Sequence, residues 1–113
     1  MIAALIIVLV VLVVVGLAAA GANVIAFTTG RGAPQGFPFV PVIKLTGNEK
    51  TWRNLIDHMD FSVSSVMEGT ETLEAAGRRL LAELIAVASG KMTKAEISGY
   101  TGSMDIYMVG PVI

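Results

Sequence analysis

The chain opens on a long block without polar punctuation. From Met1 to Phe27 only Gly16, Gly21 and Asn23 fall outside the apolar residues. Met1–Val15 is continuous and rich in Val, Ile and Leu. Its β-branched runs, Ile6 to Val8 and Val13 to Val15, favour a strand over a helix in water. Gly16 to Asn23 is small and alanine-rich and predicts a short helix lying close on a sheet, with Gly21 near its end. Val24 to Phe27 then predicts a buried strand. Pro34, Pro38 and Pro41 fix φ and remove backbone donors, so the segment between them is non-helical. Phe37 and Phe39 within it read as packing residues in preference to ligand platforms. Val40 to Leu45 predicts a second strand.

Helical spacing takes over after the Thr46-Gly47-Asn48 turn. Asn48 is a suitable N-cap for a helix over Glu49 to Asp57, with Trp52, Leu55 and Ile56 on its core side. Asp60 to Glu68 is irregular, with room for a short strand. Gly69-Thr70 opens the clearest helix, with Thr70 as cap and Glu71 and Glu74 in its first turn. Leu73, Leu80, Leu81, Leu84, Ile85 and Ala88 form its apolar stripe, and Glu74, Arg78, Arg79 and Glu83 its solvated face. Ser89-Gly90 stops it. Thr93-Lys94-Ala95-Glu96 is a capping-box pattern for another short helix. Gly99 to Ser103 turns, and Met104 to Val109 reads as a last strand.

Charge sharpens this picture. The 113 residues carry eight basic and nine acidic side chains, a net charge of −1, and every charged side chain lies at or beyond Arg31. A near-neutral balance argues against nucleic-acid binding through a broad basic surface. With no cysteine and one histidine, His58, the chain has neither a disulfide nor a thiolate nor a His-rich metal site to offer. Asp57 and Asp60 flank His58, a weak metal-ligand pattern. A lone histidine at the end of a helix is ordinarily placed there by the helix dipole.

The uncharged amino-terminal block admits three readings. By length it could span a bilayer. Ala18-Ala19-Ala20 or Ala20-Gly21-Ala22 could serve as the cleavage region of a signal peptide, but no Lys or Arg precedes Arg31 to supply the basic n-region or the flanking charge of an anchor. The third reading is a strand and following helix of a soluble domain.

The candidate chemistry sits directly after the Val24–Phe27 strand. Thr28-Thr29-Gly30-Arg31-Gly32 sets two hydroxyls, two glycines and a guanidinium in five consecutive positions. Glycine lets a backbone approach a ligand closely, and turn N–H groups with an arginine fork suit a carboxylate or phosphate. The carboxyl end of a buried strand is also where α/β proteins place ligands. The pattern is neither a GxGxxG nor a Walker loop, and a glycine-rich connection with a solvated arginine fits it as well. Lys44 reads either as a snorkelling edge residue or as a second cation.

The run Phe27-Thr28-Thr29-Gly30-Arg31-Gly32, followed by Pro34, Gly36, Pro41, Ile43-Lys44 and Asn48, resembles the C-terminal region of the altronate and galactarate dehydratase family. Gly16-Leu17-Ala18-Ala19-Ala20-Gly21-Ala22, Glu68-Gly69 and Val87-Ala88-Ser89-Gly90-Lys91 with Thr93-Lys94-Ala95-Glu96 extend the likeness over residues 16–113. Residues 1–15 stand outside it as a separate apolar segment. Full family members are several times longer.

The resemblance implies a small three-layer, Rossmann-like α/β domain with a mostly parallel sheet built on strands from Val24, Val40 and Met104. It implies a cytoplasmic lyase that removes water from a sugar acid such as altronate or galactarate, with a divalent metal, usually Fe²⁺. In the sulfolactate sulfo-lyase large-subunit branch, sulfite leaves from a sulfonated hydroxy acid instead. Thr28, Thr29, Gly30, Arg31 and Gly32, with Lys44 and Asn48 behind them, are the expected substrate-binding residues. The amino-terminal and middle domains of the family, absent here, are expected to supply the metal and acid–base groups, and a homo-oligomer remains open. The contrasting class is a non-enzymatic, membrane-anchored or assembly domain.

Overall fold

The computed structural model describes residues 1–32, 36–37 and 39–99, except for the side chains of residues 3, 7, 10 and 11. Met104–Val109, expected to be the last strand, lies outside the described residues, as do Pro34 and Pro38.

Helix α1 (Ile2–Ala19) leads into strand β1 (Ile25–Thr28) and then β2 (Val42–Thr46). Helix α2 (Glu49–Asn54), strand β3 (Phe61–Ser62), and helices α3 (Ser64–Met67), α4 (Leu73–Ala88) and α5 (Lys94–Ile97) follow. The strands form a parallel sheet in the order β1-β2-β3. Ile25 lies opposite Val42, Thr28 opposite Leu45, and Leu45 opposite Phe61.

Alternation along β2 sorts the core into two layers. Val42 packs with Ile25, Phe37 and Val40 against Val14, Val15 and Ala18 of α1. Ile43 and Leu45 point the other way, to Phe61 and Val87, with Leu80 and Leu84 of α4 closing that side. Helices on both faces of a parallel sheet give the α/β architecture that the strand and helix pattern predicts.

The amino-terminal segment departs from the strand expectation. Residues 2–19 form one helix. A continuous apolar run hides its period, and its length is then the better guide, because strands rarely exceed about eight residues. The β-branched penalty is only about 0.5 kcal/mol per residue. Docking of Val14, Val15 and Ala18 on the sheet outweighs it. The end of α1 is fixed by Gly21, whose φ of +92° lets the Ala22 N–H reach Leu17 O at 3.1 Å and the Gly21 N–H reach Ala18 O at 3.2 Å. Among the described residues, no helix is long and apolar enough to cross a membrane. The last turns of α1 are committed to the core through Val14, Val15 and Ala18.

Three further details depart from the sequence reading. Helix α2 ends at Asn54, and its buried side chain is Thr51, whereas Ile56 is exposed. The cap of α4 is Thr72, whose Oγ1 accepts the Ala75 N–H at 3.2 Å; Thr70 instead donates to Ser65 O. The buried face of α4 runs through Ala76, Leu80, Leu84 and Val87, and leaves Leu73, Leu81 and Ile85 exposed. The leucines form two faces of the helix rather than one stripe, and only the sheet decides which of them is covered.

Candidate functional site

Parallel strands end on the same side of a sheet, so the carboxyl ends of all three described strands meet at one edge. Strand β2 ties the edge together through successive carbonyls. Leu45 O accepts the Thr29 N–H at 2.9 Å, and Thr46 O accepts the Val63 N–H at 2.8 Å. The chain leaving β1 is thereby held beside β2 for one residue beyond the strand. It then turns. Thr29 Oγ1 accepts the Gly32 N–H at 3.1 Å, and Gly32 takes a φ of +91°, where a side chain would be strained. A Cβ on Gly32 would also meet Leu55 Cδ1. From below, Thr51 Oγ1 donates to Gly30 O at 2.6 Å.

In this turn Gly30 O and Thr29 Oγ1 accept hydrogen bonds, and the N–H groups of Thr29 and Gly32 are spent. Among the described residues, the N–H groups of Gly30 and Arg31 carry no hydrogen bond, and the exposed Arg31 side chain makes no hydrogen bond or ion pair. A groove of about 300 Å³ opens at this edge, lined by Thr28, Thr29, Gly30, Leu45, Gly47 and Val63; Arg31 follows the last turn residue that lines it. Backbone donors and a guanidinium in one turn suit a carboxylate or a similar oxyanion.

The other two expected residues are placed differently. Asn48 caps α2, and its Oδ1 accepts from the N–H groups of Lys50 at 3.0 Å and Thr51 at 3.3 Å. Its own N–H donates to Thr46 Oγ1. Asn48 therefore anchors the helix that carries Thr51 to Gly30. Lys44 is fully buried within β2. Burial pushes its ammonium pKa down, an effect partly opposed by the charge of Asp60. Asp60 is a clamp: Oδ2 accepts the Lys44 N–H at 2.9 Å and Oδ1 accepts the Lys94 N–H at 2.6 Å.

Gly47, Val63 and Thr51 were not singled out by sequence reasoning. Thr46-Gly47-Asn48 reads only as a turn, and Thr51 lies 21 positions from Gly30. Nothing local marks the pair.

A second cleft, of about 630 Å³, lies at the end of β3 and includes Glu49, Trp52, Ser62, Ser64, Glu71 and Arg79. Its charges are mutually satisfied. Arg79 binds Glu71 through two contacts of 2.6 and 2.7 Å and lies 4.7 Å above the Phe61 ring. Ser65 Oγ also donates to Glu71. The Arg79 and Ser65 bonds pull the Glu71 carboxyl down to about 2. Glu49 accepts from Ser64 at 2.6 Å and from Arg53 at 2.7 Å, which lowers its pKa as well.

No three His, Asp or Glu side chains among the described residues are grouped to hold a metal ion. Asp60, the acidic neighbour of His58 with the best placement, spends both oxygens on backbone N–H groups. The described residues do not fit a divalent metal.

A family model for the D-galactarate/altronate dehydratase C-terminal domain matches residues 9–111, reaching back into α1. The chain is 42% identical over 74 residues to the (2R)-sulfolactate sulfo-lyase subunit beta of Chromohalobacter salexigens, covering 66% of this chain and 19% of that protein. It is 36% identical over 95 residues to galactarate dehydratase (L-threo-forming) of Escherichia coli, covering 83% and 18%. It is 36% identical over 80 residues to altronate dehydratase of Bacillus subtilis, covering 71% and 16%. The matched stretch is less than a fifth of each relative's length.

Proposed function

The chain belongs to the D-galactarate/altronate dehydratase C-terminal family, and from that membership we propose that it is the C-terminal domain of a carbon–oxygen lyase acting on a sugar acid. Its contribution is the carboxylate-binding turn Thr28–Gly32. One observation carries this reading: among the described residues the N–H groups of Gly30 and Arg31 and the Arg31 guanidinium make no hydrogen bond, in a turn whose Thr28, Thr29 and Gly30 line a groove at the carboxyl edge of the sheet.

The chemistry of the class explains why such a turn is needed. A proton leaves the carbon next to the carboxylate, and hydroxide departs from the neighbouring carbon as water. The resulting enol becomes a 2-keto acid. Negative charge builds on the carboxylate side as the proton leaves, and fixed donors there stabilise it. Arg31 binds the carboxylate as a fork, and the Gly30 and Arg31 amides supply the facing donors. Asn48 supports the turn by capping the helix that carries Thr51 to Gly30. The proton acceptor and the divalent metal, Fe²⁺ in this reading, belong to the rest of the enzyme, so the 113 residues bind substrate without turning it over.

A carbon–sulfur lyase is the second reading. It is favoured by the 42% identity to a sulfolactate sulfo-lyase subunit. The turn would hold the same carboxylate while sulfite departs.

Calorimetric and thermal-shift titration of the purified chain with galactarate, altronate and sulfolactate tests the turn. Binding that is lost in Arg31→Ala supports it. Binding that survives that substitution unchanged removes Arg31 from the role.

A further inference from the structure

Three hydrogen bonds shape the turn after β1, and they do different jobs. The Thr29 N–H on Leu45 O at 2.9 Å fixes where the chain enters. The Gly32 N–H on Thr29 Oγ1 at 3.1 Å fixes where it leaves. Between them, Thr51 Oγ1 donates to Gly30 O at 2.6 Å, across 21 positions of sequence. Thr51 is buried. A threonine hydroxyl inside a helix ordinarily returns to a carbonyl one turn earlier. This one leaves α2 altogether.

The carbonyl it reaches is half of a peptide group. Gly30 C=O and Arg31 N–H share one planar trans unit and point to opposite sides of it. A hydroxyl that pins the carbonyl toward α2 therefore turns the Arg31 N–H away from α2. Among the described residues that N–H makes no hydrogen bond. The contact also bears on its strength. A donor on the carbonyl draws electrons from the amide nitrogen, and hydrogen bonds in series reinforce one another by about 10–30% per bond. Thr51 is itself held in place. Asn48 Oδ1 accepts its N–H at 3.3 Å, and its Cγ2 methyl lies 3.5 Å from where a Cβ on Gly32 would stand. Helix α2 thus sits tight under the turn.

We propose that Thr51 is a positioning residue for oxyanion binding: through the Gly30 carbonyl it aims the Arg31 N–H at the bound carboxylate and makes it a stronger donor. The proposal rests on Thr28–Gly32 being the carboxylate turn, and it adds a residue that does not touch the ligand. The two branches of the side chain have separate roles. The methyl packs and the hydroxyl aims.

Amide NMR of the full chain, titrated in turn with galactarate, altronate and sulfolactate, tests this. Thr51→Val keeps the shape and loses the hydroxyl; Thr51→Ser keeps the hydroxyl and loses the methyl. In the unmodified chain the Arg31 amide proton is expected to move downfield on binding. Thr51→Val is expected to bind about three- to tenfold more weakly. It is also expected to move the ligand-free Arg31 nitrogen upfield and to shrink the downfield movement on binding. Thr51→Ser is expected to bind like the unmodified chain even where it melts earlier, and that rescue separates aiming from packing. Thr51→Val that binds as well as the unmodified chain overturns the proposal and leaves the carboxylate turn standing. So does Thr51→Ser that binds as poorly as Thr51→Val. Should Thr51→Val not fold, the other two chains decide: a ligand that binds without moving the Arg31 amide, or Thr51→Ser that binds more weakly, overturns it. An unmodified chain that binds none of the three acids overturns the carboxylate turn, and this proposal with it.

Discussion

Asp60 accepts the backbone N–H of Lys94 at 2.6 Å across 34 residues of sequence. Its other oxygen takes the Lys44 N–H at 2.9 Å. One carboxylate thus joins the middle of β2 to the start of α5, where the helix offers unpaired N–H groups to a negative charge. Around this clamp sit fully buried Met59 and Lys44. Asp60→Ala leaves two backbone donors unpaired and should destabilise the fold by about 2–4 kcal/mol. Asp60→Asn, which keeps one acceptor, should cost less. Urea unfolding of the three chains checks the order.

Arg31 predicts the opposite balance. It is exposed, and among the described residues it makes no contact that holds the fold. In a full-length enzyme carrying this domain, Arg31→Ala should leave the melting temperature within a degree or two. A lost charge-assisted carboxylate contact of about 1.5–3 kcal/mol should lower kcat/KM roughly 10- to 150-fold. Steady-state kinetics beside a melting curve separate the two effects, and wild-type kinetics would remove the role given to Arg31.

Gly32 should behave as a backbone residue. Its φ of +91° costs an L side chain about 1–2 kcal/mol, and the new Cβ also presses on Leu55 Cδ1. Gly32→Ala is expected to lose about that much stability. Adding Leu55→Ala relieves only the steric part, so the double variant should not regain what the dihedral costs. Denaturant midpoints of the single and double variants measure the split.

Glu71 sets an acid limb. Its folded pKa is about 2, below the ordinary 4.5, because Arg79 and Ser65 bind the carboxylate. Above pH 4.5 both folded and unfolded states are ionised, and the contribution is complete. Between 4.5 and 2 the unfolded chain takes up the proton first, so stability falls with pH, and below 2 the contribution is gone. Glu71→Gln should flatten the stability profile over that window and change little near neutrality beyond a constant offset. Thermal melts from pH 2 to 7 show the difference.

The sequence by itself determined the local elements with strong punctuation. Asn48 caps α2, Ser89-Gly90 ends α4 and Thr93 caps α5 with Glu96 in reach, because a cap depends on side chains two or three positions away. The strands from Val24 and Val40 and the turn after Phe27 were legible for the same reason: their apolar runs and glycines act locally. The tertiary structure decided what depends on neighbours far along the chain. Residues 2–19 became helix because part of that run docks on the sheet. Leu80 and Leu84, rather than Leu81 and Ile85, face the core because the sheet covers one side of α4. Lys44 was drawn inside beside Asp60, and Thr51 was brought under Gly30. No pattern of residues records those meetings, since burial and long-range hydrogen bonds exist only after the chain has closed on itself.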